Sequence, residues 1–428
     1  MRVVRIGICA LIAFGVLTFG AVQTWSRSIL EIGAALLLVY WAALVASRKE
    51  DAKIQWNPLN WPLLAFIAIG LLQLLFHGTA YPFLTRVQLL KLAVYFIVLF
   101  LSAQAFRSRA DLEVLAWCAI LFCFGVSLFA IIQHFTAGAT IYWTVPVTGG
   151  QPYGPYVNRN HFAGFVELTL PVGVALMAFR AVRREVLPLL TLFTVVPVGA
   201  LVLSGSRGGL LGFTFEVCIL AWMLRRRRVL RTGRLMAGAA VAVVALLFVA
   251  WLGASGAVQR ISALRSPDVT FGRRIAMARG AAHIFFDHPL KGCGLGTLVA
   301  VYPRYETDYD GRVVDHAHND YLETLAETGL LGGLCGAVFL WLLFRAVRKN
   351  FAAEQGQLSL ALHAAAIMAV GGMLLHSLVD FNLQLPANAL LFLLQAYIVT
   401  LPPLPSEAGR ARRRVRVYDE VTEAPAEA

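Results

Sequence analysis

Apolar runs about as long as a bilayer is thick recur along the whole 428-residue chain. A transmembrane helix needs about 20 mostly apolar residues. Only 14% of the residues are charged, whereas soluble domains have about 25%, and the mean hydropathy is +0.70. The pattern indicates an all-α polytopic membrane protein and excludes a soluble enzyme, a secreted disulfide scaffold and a DNA-binding domain.

The hydropathy pattern predicts about twelve transmembrane helices. An even number places both termini on the same side of the membrane. The predicted spans are 6–20, 29–46, 59–76, 87–103, 112–135, 162–179, 186–203, 208–224, 235–253, 323–344, 358–379 and 386–401.

Lys and Arg are distributed very unevenly between the two sets of loops. One set, which includes both terminal segments, holds 24 of the 37 basic residues, and the short loops of the other side hold four. Short cytoplasmic loops carry the excess of Lys and Arg, and longer segments do not follow this rule. We therefore expect both termini in the cytoplasm and residues 254–322 outside.

The same reading divides the chain into regions. Residues 1–401 form the predicted bundle, with the outer segment 254–322 inserted, and 402–428 form a tail that we expect to be disordered. The first apolar run follows Arg2 and Arg5 without a convincing cleavage site. We interpret it as an uncleaved helix rather than a signal peptide.

Within the outer segment, residues 271–287 predict an amphipathic helix that could lie on the membrane surface. Arg273 and Arg274 fall in its first turn, where the helix dipole disfavours cations. An anion bound jointly by the guanidinium groups and the free backbone N–H groups would resolve this conflict. The alternative is simple contact with lipid phosphates. The predicted apolar face comprises Ile275, Ala278, Ala282, Phe285 and Phe286.

Residues 288–296 contain three glycines in five positions, which indicates a tight turn with close backbone approach. A structural turn is favoured here over a phosphate-binding loop. In residues 315–332, Asp320 and Glu323 resemble a capping box that starts the next span. Further on, Gly329 begins a small-xxx-small spacing that is typical of helix packing.

His318 and Asn319 would stand just before that span, at the boundary of water and membrane. A neutral imidazole at this place can act as a general base, although it could also simply cap the helix. A metal site at His316 and His318 is disfavoured, because no further ligand set completes it. We therefore expect neither a metal nor a cofactor.

Three shorter loops on the same side carry further polar groups. Arg159 precedes the sixth span, Arg207 lies in a tight turn between the seventh and eighth, and Asp380 follows the eleventh. An arginine in so tight a loop at membrane depth needs an anion or carbonyl groups, and Asp380 is a possible partner. These loops can converge on one polar cavity. The pattern leaves Lys91, Glu167, Glu216 and His363, which lie inside spans, without an assigned role.

Together these motifs resemble the bacterial O-antigen ligase/polymerase family. The resemblance covers residues 150–390 and is most specific in His-Asn-Asp-Tyr-Leu-Glu-Thr-Leu-Ala-Glu-Thr-Gly-Leu. It implies a GT-C-like helical bundle, the fold of membrane-embedded glycosyltransferases. It also implies a donor glycan carried on undecaprenyl pyrophosphate and used at the periplasmic face.

By its place in these motifs, His318 corresponds to the family's histidine that activates the acceptor hydroxyl. Arg207 corresponds to one arginine of the family's substrate site. A second arginine of that site corresponds to Arg274 or, alternatively, to Arg273. Ala278 departs from the family, which often has Trp at that position. One dominant outer loop, with only a modest second loop at 136–161, favours a ligase that transfers the glycan to lipid A-core. Alternatives are a polymerase that joins carrier-linked repeats and, more distantly, a secondary transporter, which would need paired broken helices near the midplane.

Overall fold

A computed structural model describes residues 1–47, 54–148, 150–227, 271–307, 309, 311–353 and 356–403. Within these residues the chain is mainly helical, with one two-stranded antiparallel sheet formed by β1 (Thr140–Ile141) and β2 (Val145–Pro146). The helices are α1 (Arg2–Leu17), α2 (Thr24–Ser47), α3 (Asn60–Leu75), α4 (Pro82–Ala105), α5 (Arg109–Thr136), α6 (Arg159–Ala178), α7 (Leu187–Ser204), α8 (Arg207–Arg226), α9 (Phe271–Asp287), α10 (Leu298–Val301), α11 (Asp320–Ala352), α12 (Gln357–His376) and α13 (Pro386–Thr400).

Eight described helices are long and apolar enough to cross a membrane, namely α2, α4, α5, α6, α7, α8, α11 and α12. This confirms a polytopic, all-α membrane protein. Three shorter helices, α1, α3 and α13, coincide with the first, third and twelfth predicted spans. The predicted span 235–253 lies outside the described residues, as does most of the tail. The total of twelve spans therefore stays a prediction.

Helices α6, α12 and α13 form the centre of the bundle, and nearly every side chain of α6 and α13 is buried. Helices α2, α7 and α11 lie at the periphery, where large apolar side chains such as Leu36, Val195 and Trp341 are exposed. Because a helix that is apolar on all sides belongs in a protein core or in lipid, these exposed faces are those that a bilayer would cover.

The helix predicted at 271–287 is present with those bounds as α9. Its predicted apolar face is not the face that packs against the protein, and the position of that face on the membrane surface stays a prediction. The buried positions are Met277, Ala281 and Ile284, whereas Ile275 and Phe286 are exposed. They pack in a second, smaller core, separate from that of the bundle, with residues of α10 and the following turn. The spacing of apolar residues suited either face, and the packing of α9 against α11 selects this one.

Helix α11 begins at Asp320 as predicted, but the residue that caps it is Asn319. The side chain of Asn319 accepts hydrogen bonds from the backbone N–H groups of Tyr321 and Leu322. The predicted cap, Asp320, instead accepts from the backbone of Leu383. Gly329 has φ of 62° and interrupts the helix. Another segment of backbone comes close to α11 at this break, so the glycine does more than allow helices to pack.

That approach comes from the glycine turn that follows α9. The backbone N–H groups of Cys293 and Gly294 donate to the carbonyl groups of Ala326 and Glu327 in α11. The N–H groups of Gly296 and Leu298 donate to the carboxylate of Glu327, at 2.9 and 3.0 Å. The turn therefore binds a carboxylate of its own chain, which supports the interpretation of these glycines as a structural turn.

We predict that Gly292→Ala destabilises the protein much more than Gly311→Ala. Both glycines have positive φ, 70° and 83°, so both substitutions carry the strain of a left-handed alanine, about 1 kcal/mol. At Gly292 a Cβ atom would also overlap the backbone of Glu327 and Thr328, whereas at Gly311 it meets no described atom within 4 Å. The added overlap should cost a further 1–3 kcal/mol or so. Thermal unfolding in detergent measures the stability of both variants. If both lose the same stability, the packing of Gly292 against α11 is contradicted.

Candidate functional site

Four segments of the chain meet at one end of the bundle, around the carboxylate of Asp380. They are the start of α6, the start of α9, the extended segment before α11, and the turn after α12. The carboxylate is fully buried. A buried charge is tolerated only when it is paired and hydrogen-bonded, and each of the four segments supplies a group that contacts this region.

One carboxylate oxygen, Oδ1, accepts hydrogen bonds from His318 Nδ1 at 3.1 Å and from the backbone N–H of Phe381 at 2.9 Å. A histidine that donates from Nδ1 has its lone pair on Nε2. The ring of His318 is buried and its backbone has φ of 50°. Non-glycine residues seldom adopt this conformation, and such strain clusters at functional sites.

The other oxygen, Oδ2, accepts from Asn160 Nδ2 at 2.7 Å and lies 3.8 Å from Arg274 Nη2. Burial by itself would raise the pKa of Asp380. The hydrogen bond from His318, followed by the electrostatic effects of His318, His161 and Arg274, overcomes burial and holds the pKa of Asp380 well below its usual range. The carboxylate therefore stays ionised.

The two arginines at the start of α9 contact different partners. Arg274 donates from Nη1 to the carbonyl oxygen of Val379, directly before Asp380. Arg273 donates to the carbonyl oxygen of Arg312, in the segment that leads to α11. Of the two candidates, the structure thus brings Arg274 to the carboxylate.

Asn319 links the segment before α11 to the turn after α12. While Oδ1 caps α11, its Nδ2 donates to the carbonyl oxygen of Leu378 at 2.9 Å. The backbone N–H of Asp320 donates to the carbonyl of Ser377. These bonds fix the backbone on the C-terminal side of His318, so Asn319 serves here to hold the histidine in place.

The ring of Phe381 contacts three histidines. His316 stacks on it with ring centroids 4.3 Å apart, and His161 and His318 meet it edge-on at 4.8 Å. Both His316 and His318 thus reach the same cluster, because the segment that carries them is not helical. The sequence offered no signal for Phe381 beyond its position next to Asp380.

His316 has a carboxylate partner of its own, Glu323. Its Nδ1 lies 2.7 Å from Glu323 Oε1. Burial would lower the pKa of His316, but the charge and hydrogen bond of Glu323, with a smaller effect of Asp315, raise it to about 9. The ring therefore carries a proton at neutral pH.

Arg207 is the first residue of α8 and is exposed. The turn before it uses Gly205 in the left-handed conformation, and Ser206 caps α8 by accepting from the N–H of Gly209. The guanidinium of Arg159, at the start of α6, lies beside Gly205. The structure thus brings Arg159 next to the Arg207 turn, at the same end of the bundle as Asp380.

A second buried pair, which was not predicted from the sequence, lies beneath this turn. His376 Nδ1 is 3.1 Å from both oxygens of Glu167, and neither side chain is exposed. The His376 ring abuts Gly208, and a Cβ atom there would lie 2.5 Å from Nε2. The glycines of α8 were the available signal, since they allow α6 and α12 to approach.

The remaining polar groups inside the spans have mostly structural partners. Lys91 donates to the carbonyl of Gln384, and His363 contacts the backbone of Ser359 and Leu401. Glu216 is fully buried, with no hydrogen bond recorded for either carboxyl oxygen among the described residues. No group of three or more His, Cys, Asp or Glu in the described part of the chain is arranged to bind a metal ion.

Residues 192–337 match the family model described as O-antigen ligase. The matched stretch includes Arg207, Arg274 and His318, three of the residues that resemblance had singled out. No curated protein matches the chain significantly. The match covers about a third of the chain and supports the resemblance to the O-antigen ligase/polymerase family.

Proposed function

We propose that the protein is an O-antigen ligase that transfers a glycan from undecaprenyl pyrophosphate to a sugar of lipid A-core. The family implies glycosyltransferase-type activity on a lipid-linked glycan, of ligase or polymerase type. The observation that carries the proposal is the group formed by His318, Asp380 and Arg274, at the end of the bundle where the outer segment joins it.

In this proposal His318 is the general base. Asp380 accepts a hydrogen bond from the Nδ1–H of His318, which leaves the Nε2 lone pair free for the acceptor hydroxyl, as in other His–carboxylate pairs. The acceptor oxygen attacks the anomeric carbon from the face opposite the pyrophosphate, the new C–O bond forms, and the bond to the phosphate oxygen breaks. The hydroxyl proton moves to His318, and Asp380 stabilises the imidazolium that results. The configuration at the anomeric carbon is inverted.

Arginines are proposed to neutralise the pyrophosphate leaving group, without a divalent metal. Guanidinium groups bind phosphate oxygens in pairs and stay charged at any physiological pH. Arg274 lies beside Asp380, and Arg207 is exposed at the start of α8, with Arg159 next to its turn. A contact of this type is worth about 3 kcal/mol at the transition state. Arg273 and Asn319 support the same site from neighbouring positions.

The proposal places the site at the periplasmic face of the bacterial inner membrane, with both termini in the cytoplasm. The distribution of Lys and Arg supports this orientation. The loop between α7 and α8, which carries Arg207, belongs to the set of loops with few basic residues. The cluster around Asp380 lies at the same end of the bundle.

A deletion strain tests the function directly. If the protein is a ligase, lipid A-core on a gel carries no O-antigen, and finished glycan accumulates on the carrier lipid. If it is a polymerase, lipid A-core keeps single repeats. If lipid A-core and carrier lipid are both unchanged, the protein is neither a ligase nor a polymerase, and transport or another activity would have to be considered.

We predict that His318→Ala abolishes transfer, because no other group at the site then accepts the acceptor proton from the same position. Loss of a general base typically costs 10²–10⁴-fold or so in rate. His316→Ala is the matched control, since His316 packs on the same Phe381 ring, and it should retain a substantial fraction of activity. Transfer is measured with purified protein and lipid-linked donor.

The His318→Ala protein should remain folded and still bind the carrier-linked donor. Asp380→Asn should also lower the rate, since the amide no longer stabilises the imidazolium. A His318→Ala protein that turns over near the wild-type rate would refute the base assignment. Positioning by the arginines would then have to account for catalysis.

We predict a different defect for Arg207→Lys and Arg274→Lys. A lysine ammonium is a point charge and cannot replace the two parallel hydrogen bonds of a guanidinium. Each substitution should therefore weaken binding of the pyrophosphate-linked donor, which appears as a raised KM for that donor. Arg183→Lys, in a loop at the other end of the bundle, is the control. If donor KM stays unchanged in both variants, the arginines do not bind the pyrophosphate.

A further inference from the structure

A crevice of about 940 Å³ opens between α1 and α5 and reaches inward to α13. It is separate from the candidate site. The turn after α1 contacts Tyr156 and Leu385, which lie at the end of the bundle that holds Asp380. The start of α1 is therefore at the opposite end, and the crevice extends along the helices from there.

The walls of the crevice are apolar for most of their length. Ile6 of α1 and Val114 and Leu121 of α5 line it and are each at least half exposed in the isolated chain, while Leu391 and Leu394 of α13 close its inner side. Apolar side chains that remain accessible in a membrane protein are covered by hydrocarbon. The shape and lining suit acyl chains.

Charged side chains collect at one end of the same crevice. Arg2 and Arg5 of α1 and Asp111 of α5 all line it. Arg5 forms an ion pair with Asp111, which also accepts a hydrogen bond from the backbone N–H of Ser108 at the start of α5. Two arginines against one carboxylate leave an excess positive charge where the apolar walls begin.

We propose that this crevice is a binding site for an anionic glycerophospholipid, with the phosphate at Arg2 and Arg5 and the acyl chains along the apolar walls. Charge complementarity selects the headgroup, because basic residues at a membrane surface attract anionic lipids. The carrier-linked donor does not fit this end, since the site proposed for its pyrophosphate is at the other. The lipid site does not depend on the proposed transferase activity.

The pair between Arg5 and Asp111 gives the proposal a distinctive consequence. While Asp111 is ionised, it competes with a lipid phosphate for the guanidinium of Arg5. Removing that negative charge should strengthen binding of an anionic lipid, whereas removing either arginine should weaken it. Ordinary hydrophobic contact with bulk lipid would respond to neither change.

Native mass spectrometry of the purified full-length protein tests this, with dioleoyl phosphatidylglycerol titrated against dioleoyl phosphatidylcholine. The wild type should retain phosphatidylglycerol in preference to phosphatidylcholine. Arg2→Gln and Arg5→Gln should each weaken phosphatidylglycerol binding roughly fivefold, and Asp111→Asn should strengthen it. Arg183→Gln with Arg184→Gln, two exposed arginines outside the crevice, should change nothing.

A second variant tests the walls independently of charge. Ala119→Trp places a large side chain inside the crevice and should reduce binding of both lipids, whereas Val195→Trp, on an exposed face of α7, should not. Thermal unfolding without lipid shows whether each variant is folded. Equal retention of both lipids by the wild type, or no response to the arginine and tryptophan substitutions, would overturn the proposal. Either result would leave the transferase proposal intact.

Discussion

The buried carboxylate of Asp380 is the constraint on which the arrangement of the site depends. Stripping water from a carboxylate costs several kcal/mol, which only well-placed partners offset. Its two oxygens accept hydrogen bonds from His318, Asn160 and a backbone N–H, and one of them forms an ion pair with Arg274. These partners come from segments up to 220 residues from Asp380 in sequence, so satisfying one charge brings the start of α6, the start of α9 and the segment before α11 together.

The partners of Asp380 are themselves held by structural contacts. Asn319 caps α11 and bonds to the turn that contains Asp380, which fixes the strained backbone of His318. Deeper in the bundle, the pair of His376 and Glu167 supports Gly208 and hence the turn that presents Arg207. A site with this support is preorganised, and preorganised charges stabilise a transition state without the cost of reorienting groups during the reaction.

Hydropathy predicted eleven of the described helices, since a span must be apolar over its whole length whatever its neighbours are. The start of α9 and the polar loops were also predictable, because a charged side chain at membrane depth needs a charged or polar partner. The buried face of α9 was not predictable, since both Ile275 and Met277 belong to plausible apolar stripes and only the partner helix decides between them. The same holds for the pair of His376 and Glu167, whose residues lie 209 positions apart.

In the proposed mechanism, the choice between His316 and His318 as base rests on what each ring contacts. Both rings touch Phe381, and each Nδ1 faces a carboxylate. A general base must be unprotonated at the working pH. Glu323 raises the pKa of His316 to about 9, so that ring holds its proton throughout the neutral range and can only donate. His318 donates from Nδ1 to Asp380, which leaves the Nε2 lone pair available to accept a proton. This geometry makes His318 the histidine of the pair that suits the proposed role of base.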